Sequence, residues 1–315
     1  MSFLEDLRQY GPDAGGLAPA AVGLPEAVAY CAALTRRHYE NFSVVTWLTP
    51  RPLRPAFRSI YAFCRWSDDL GDEVGDPARS VELLAWWRGE LQAMYRGRAT
   101  HPVMVALAPT VAEFAIPIDP FEALISAFEQ DQRVNEYETY GQLLDYCARS
   151  ANPVGHLVLY LARSFDPENA ALSDLTCTGL QLANFWQDVA RDLAIGRVYL
   201  PLEDRRRFGY EAADLRALRF TPAFAELLRF EVARARDLLH RGRPLIARMP
   251  RALGVDVDLF NRGGLAILDR IEAQGFDVLA RRPEVGKLAK LGLLARAMLS
   301  GRPSTTRPLA AGRAS

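Results

Sequence analysis

The sequence predicts an all-α fold, and three observations carry that reading. Apolar residues recur at three- and four-residue spacing through most of the 315 residues. No stretch alternates polar and apolar residues between turn signals, so strands are not indicated. Prolines stand repeatedly where a first helical turn would begin, as in DPARS at 76, IDPF at 118, FDPEN at 165, FTPAF at 220 and RRPEV at 281.

These breakers give helices over roughly 25–47, 53–75, 78–97, 100–115, 120–134, 139–164, 168–195, 220–246, 256–275 and 283–299, each end good to about 2–4 residues. No low-complexity linker divides them. The expectation is a single helical domain over 21–300, flanked by flexible tails over 1–20 and 301–315, where glycine, proline and small polar residues dominate.

Half of the residues are hydrophobic, enough for a sizeable core, and the formal net charge is zero. A sequence pI near 6.9 argues against a nucleic-acid partner. The four cysteines, Cys31, Cys64, Cys147 and Cys177, form no CxxC pair, so a reduced cytoplasmic protein is expected rather than a zinc knuckle or disulfide framework. The N-terminus has no signal-like apolar stretch, and no window of about 18 apolar residues would span a bilayer. Membrane contact would be peripheral: EVGKLAKLGLLARAMLSG sets Leu288, Leu291, Ala295 and Met298 along one side of a helix.

Chemistry concentrates in two places. CRWSDDLGDE, Cys64 to Glu73, crowds four carboxylates behind an arginine on an otherwise apolar helix. At about 100° per residue Tyr61, Arg65, Asp68 and Asp72 share one narrow stripe, with Asp69 and Glu73 flanking it. GLQLANFWQDVARD repeats the arrangement with Gln181, Asn184, Asp188 and Asp192. Acids at i and i+4 repel by about 0.2–0.5 kcal/mol even when exposed, and no lysine answers them at i+4.

One such stripe reads as a solvated face; two point to hard oxygen ligands for Mg²⁺, which keeps water and accepts substrate phosphate oxygens. A di-iron site would want Glu three residues before His, and none of the four histidines has one.

These residues resemble the squalene and phytoene synthase family of isoprenoid synthases. YAFCRWSDDLGDE is similar to the family's first aspartate-rich motif and GLQLANFWQDVARDLAIGRVYLP to its second, and the likeness runs from about Ala29 to Leu294. HYENFSVVTWLTPRPLRP, YCARSANPVGHLVLYL and GRVYLPLEDRRRFGY resemble the hopanoid-pathway hydroxysqualene synthase subgroup, the HpnC type. The resemblance implies an all-α isoprenoid-synthase bundle around a central active-site cavity. It implies Mg²⁺-dependent conversion of presqualene diphosphate and water to hydroxysqualene and diphosphate, with hand-over from and to neighbouring squalene-pathway enzymes.

Carried over residue by residue, the Mg²⁺-diphosphate ligands fall on Asp68, Asp72, Asp188 and Asp192, with Gln181 and Asn184 beside the second pair. The diphosphate-contacting arginines fall on Arg65, Arg197 and Arg281, and His38, Tyr61 and Tyr146 line the site. Phe42, Phe128 and Trp186 join Tyr61 and Tyr146 as candidate aromatic lining around a carbocation.

The sequence departs from the family pattern in three ways. Gln187 stands where an arginine is usual, Asn152 and Pro153 make ANPVG of a small-residue break, and Gly263-Gly264 replaces a tyrosine. Gln187 and Asn152 are expected to hold or route the reacting water. The rival readings are head-to-head condensation of two prenyl diphosphates, a reductive squalene synthase, and a non-catalytic helical assembly protein, the last disfavoured because all four acids are present.

Overall fold

The computed structural model describes residues 2–13, 22–37 and 49–286. The described residues hold fourteen α-helices and no strand beyond one isolated parallel bridge, Glu136 to Val198. After α1 (Phe3–Tyr10) and α2 (Leu24–Arg37), α3 (Arg54–Asp72) and α4 (Pro77–Tyr95) form an antiparallel pair. Asp76 caps α4 by accepting from the Ala78 and Arg79 amides, and Pro77 takes the first-turn place where no amide is needed.

α5 (Pro102–Phe114) and α6 (Asp119–Asp131) complete the N-terminal half. Its core is aromatic: Trp66 stacks on Trp87 at 5.3 Å, and Phe63 meets Phe121 edge to face at 4.9 Å.

The helix expected over 139–164 is two, α7 (Tyr140–Ser150) and α8 (Asn152–Leu161), broken at Ala151. Pro153 cannot donate within a helix, so the chain restarts there and gives Pro153 a first-turn position. α9 (Pro167–Ala194), capped by Asp166 on the Asn169 amide at 2.8 Å, is the longest element and packs against α7, α8 and the helices that follow.

The short α10 (Leu202–Arg207) and α11 (Ala212–Arg216) fill a stretch for which no helix was expected. α12 (Pro222–Gly242), α13 (Leu245–Arg248) and α14 (Arg251–Ala273) close the second half, with α12 lying along α9.

Two tail expectations meet the structure differently. Residues 1–20 read as a flexible tail, yet α1 carries a capping box from Ser2 and Glu5, Phe3 packs edge to face on Trp66, and buried Asp6 accepts from Arg37 and Tyr30. Eight residues were too few for periodicity to mark. Of the helix expected over 283–299, residues 283–286 are described and are not helical, and 287–315 lie outside the described residues. No described helix is long and apolar enough to cross a membrane.

Gly263-Gly264 finds a packing reason. A Cβ on Gly264 would lie 2.7 Å from Leu180 of α9 and 3.0 Å from Leu239 of α12, so the glycine lets α14 approach both, whereas a Cβ on Gly263 meets nothing within 4 Å. Gly264→Ala is therefore expected to destabilise, an overpacking cost of about 1–3 kcal/mol outweighing a helix-propensity gain of about 0.5–1 kcal/mol. Gly263→Ala should stabilise by about 0.5–1 kcal/mol through helix propensity. Denaturant unfolding of the two variants checks both signs.

His101 caps α5 by accepting from the Val103 amide at Nδ1, which leaves the proton on Nε2 among the rings of Trp66, Trp86, Trp87 and Tyr10. Burial pushes its pKa down to about 3. The unfolded chain takes up this proton below about 6.5 while the native state does not, so the native state loses stability as the pH falls from 6.5 towards 3. Melting temperatures across that range should fall more steeply in the wild type than in His101→Asn.

Candidate functional site

α3 turns Tyr61, Arg65, Asp68 and Asp72 away from the core because Phe63, Trp66 and Leu70 on its other side are buried. Asp69, expected to flank the stripe, is 1 % exposed and is held by Arg65, whose Nη1 also lies 3.0 Å from Asp68. α9 is organised the same way. Leu182, Phe185 and Trp186 are core, while Gln181 is partly buried, Asn184 exposed, Asp188 largely buried and Asp192 partly buried along the polar side.

The two faces are joined by Arg197. It follows α9 through Gly196, whose φ of +79° suits glycine, and its Nη2 donates to Asp72 Oδ1 at 2.8 Å. The segment is fixed beyond it, where the Val198 amide donates to the Asn135 carbonyl at 2.7 Å and the Leu202 amide to that of Tyr137 at 2.9 Å. The Arg197 charge also acts on Asp68, Asp131 and Asp192, pulling each carboxyl down. Acids from both sequence stripes therefore belong to one site.

Cation is nevertheless short there. Burial pushes Asp68 up to about 7, with Asp72 and Asp69 adding repulsion and Arg65 and Arg197 opposing it. Burial and then Asp188 push Asp192 up to about 7, and burial, against Arg65, holds Asp69 near 6. Carboxyls so placed favour a further positive charge. Among the described residues no three acidic, histidine or cysteine side chains converge on one point. Paired carboxylates are the donor type that Mg²⁺ takes, one or two at a time, with water and phosphate oxygen in its remaining positions.

The third arginine is Arg282. Its Nε donates to Asp188 Oδ1 at 2.6 Å and its Nη2 to Oδ2 at 2.8 Å, a two-point pairing. The expectation had placed this role on Arg281, which is exposed and whose carbonyl accepts from Gln274 at 3.0 Å. An Arg-Arg pair between the helices expected over 256–275 and 283–299 carries no sign of which member turns inward; Arg282 does so, next to buried Pro283.

Gln187 and Asn152 do not share one place. The Gln187 amide donates to the Pro283 carbonyl at 2.5 Å and its oxygen accepts from Arg282 at 3.1 Å, whereas Asn152 accepts from Thr178 at 2.9 Å. Thr178 and Gln187 are about 13 Å apart along α9, so the two amides cannot hold the same water.

Tyr146 is buried in an aromatic group with Tyr137, Phe185 and Tyr199, and its hydroxyl donates to Asp131 at 2.9 Å. Asp131, buried and pushed up to about 6 by burial against Arg197, was missed by the sequence reading, since one acid at a helix end has no partner in its own pattern. Tyr61 is partly buried on the acidic face, and burial raises its pKa. Trp186, a candidate lining residue, is fully buried core. His38 and Phe42 lie outside the described residues.

The squalene/phytoene synthase family profile matches residues 35–289. The crystal structure of squalene synthase HpnC from Alicyclobacillus acidocaldarius superposes with a TM-score of 0.77 at 46 % identity, covering 80 % of this chain and 95 % of that one. A phytoene synthase of Arthrospira platensis is 30 % identical over 86 % of this chain and 92 % of its own length. A presqualene diphosphate synthase of Rhodopseudomonas palustris is 29 % identical over 81 % of this chain and 91 % of its own length. The fold is thus the isoprenoid-synthase type of helical bundle.

Removing Arg65 should expose its structural duty. Arg65→Met leaves Asp69 buried without its cation and is expected to cost about 2–4 kcal/mol. Adding Asp69→Asn should restore most of that loss, as read by denaturant unfolding of the single and double variants.

Proposed function

The chain belongs to the squalene/phytoene synthase family, and on that premise we propose that it converts presqualene diphosphate and water to hydroxysqualene and diphosphate with the help of Mg²⁺. That the chain is an isoprenoid synthase follows from the family itself. The hydroxysqualene reaction is supported by the likeness to the HpnC structure, together with the three stretches that resemble the same subgroup. It implies a place in squalene and hopanoid synthesis.

The observation that carries the reading is the approach of Arg197 to acids of both pairs, Asp68 and Asp72 on α3 and Asp192 on α9. One or two carboxylates of each pair would hold a divalent cation, which when bound would neutralise charge on the diphosphate leaving group. Arg65, Arg197 and Arg282 stand at the same acids, so a diphosphate there finds guanidinium donors already in position.

As the C–O bond breaks, its electron pair stays with the diphosphate. A water oxygen then adds to the organic cation and the water's proton is released to solvent, so no oxidant or reductant is required. Tyr61, on the acidic face of α3, is the described aromatic best placed to meet that cation.

Head-to-head condensation of two prenyl diphosphates is the second reading, supported by the phytoene and presqualene diphosphate synthases among the relatives. Product analysis separates the two. Purified protein with Mg²⁺ should yield hydroxysqualene from presqualene diphosphate and no coupled product from farnesyl diphosphate; coupling of the latter overturns the first reading. Asp68→Asn and Asp188→Asn should each lower turnover by at least about 100-fold. Turnover unchanged in both would remove the acid pairs from the chemistry.

A further inference from the structure

Residues 282–283 lie beyond α14 and are tied to α9 by four hydrogen bonds that all end on two adjacent side chains. Asp188 receives Nε and Nη2 of Arg282, at 2.6 and 2.8 Å. Gln187 supplies the other two: its oxygen accepts from Arg282 Nη2 at 3.1 Å, and its Nε2 donates to the Pro283 carbonyl at 2.5 Å. Gln187 is only 5 % exposed, so an amide that failed to make these bonds would be left buried and unpaired.

The division of labour matters. The Asp188–Arg282 pair depends on the charge of Asp188 and on what else that carboxylate binds. The Gln187 bonds depend on neither, because one grips the Pro283 backbone carbonyl and in the other the neutral amide oxygen of Gln187 accepts from Arg282. They hold Arg282 in register whichever partner Asp188 takes. With Nε and Nη2 engaged, Nη1 makes no hydrogen bond among the described residues, and the side chain is 29 % exposed, so one N–H edge stays open beside the acid pair.

We propose that Gln187 is a positioning residue for the diphosphate, keeping Arg282 at the second acid pair by clamping the Arg282–Pro283 segment to α9. The proposal rests on the prenyl diphosphate reading above and names how this chain presents its third guanidinium. Gln187 touches no substrate atom; it acts through Arg282.

The test uses the full chain and inorganic pyrophosphate with Mg²⁺, followed by titration calorimetry, on wild type, Gln187→Met, Arg282→Met and the double variant. Met preserves the volume of Gln187 and removes both hydrogen-bonding groups. Each single change is expected to weaken pyrophosphate binding about tenfold, and the double variant to bind no more weakly than Arg282→Met alone, since Gln187 has nothing left to position. A purely structural amide would lower the melting temperature and leave affinity unchanged, or would add its effect in full to that of Arg282→Met; either outcome overturns the proposal.

If Gln187→Met does not fold, Gln187→Glu carries the test by limited proteolysis. It cannot donate to Pro283 when ionised, so the Arg281–Arg282 bond should be cut by trypsin at least about tenfold faster, and unchanged cleavage refutes the clamp. Failure of the wild type to bind pyrophosphate with Mg²⁺ overturns the diphosphate reading itself. Wild-type binding with an unaffected Gln187→Met overturns only the clamp.

Discussion

The constraint on which this structure turns is charge balance between two partly desolvated acid pairs and three arginines. Asp68 with Asp72 and Asp188 with Asp192 each repel across one helical turn, and burial sharpens the repulsion. Arg65 answers within α3, Arg197 reaches from the end of α9 to Asp72, and Arg282 reaches from beyond α14 to Asp188. Each comes from a different part of the chain, so the charges can be balanced only if the helices meet in one particular way. The partial shortfall that remains is what a divalent cation and an anionic substrate would use in opposite senses.

The packing serves that meeting. α9 is buried by helices on several sides, and small residues at its contacts let them come close: a Cβ on Gly242 of α12 would lie 2.2 Å from Thr176 Oγ1, and one on Gly155 of α8 2.2 Å from Ser173 Oγ. α3 is anchored from behind by the Trp66–Trp87–Phe63 stack. Rigid apolar backing on two helices fixes the direction of their polar faces, and the segment over 197–203 is held by backbone hydrogen bonds to 135–138. Position in the site is thus set mostly by apolar contact and backbone pairing, and charge only by the side chains that project from them.

Much of this was visible in the linear sequence, for a local reason. Periodicity, caps and first-turn prolines are set within a few residues, so α3, α4, α5, α6, α9 and α12 fall close to their expected ranges. The acid stripes were visible because a helix converts spacing directly into a shared face. The break at Ala151 was half visible: Pro153 signalled distortion, but whether a proline kinks a helix or restarts it depends on what packs against the turn. α1 escaped notice because its eight residues are stabilised by Trp66, Tyr30 and Arg37, which are remote in sequence.

What the sequence determined by itself is the helical class, the two acidic faces and, through the motifs they form, the family. Tertiary structure alone decided the partners: that Arg282 rather than Arg281 turns to Asp188, that Gln187 donates to the Pro283 carbonyl, and that Asp131 accepts from Tyr146. The physical reason is range. A helix face is fixed by torsions repeated every few residues, whereas a hydrogen-bond partner is chosen by which distant backbone the packed core brings within about 3 Å.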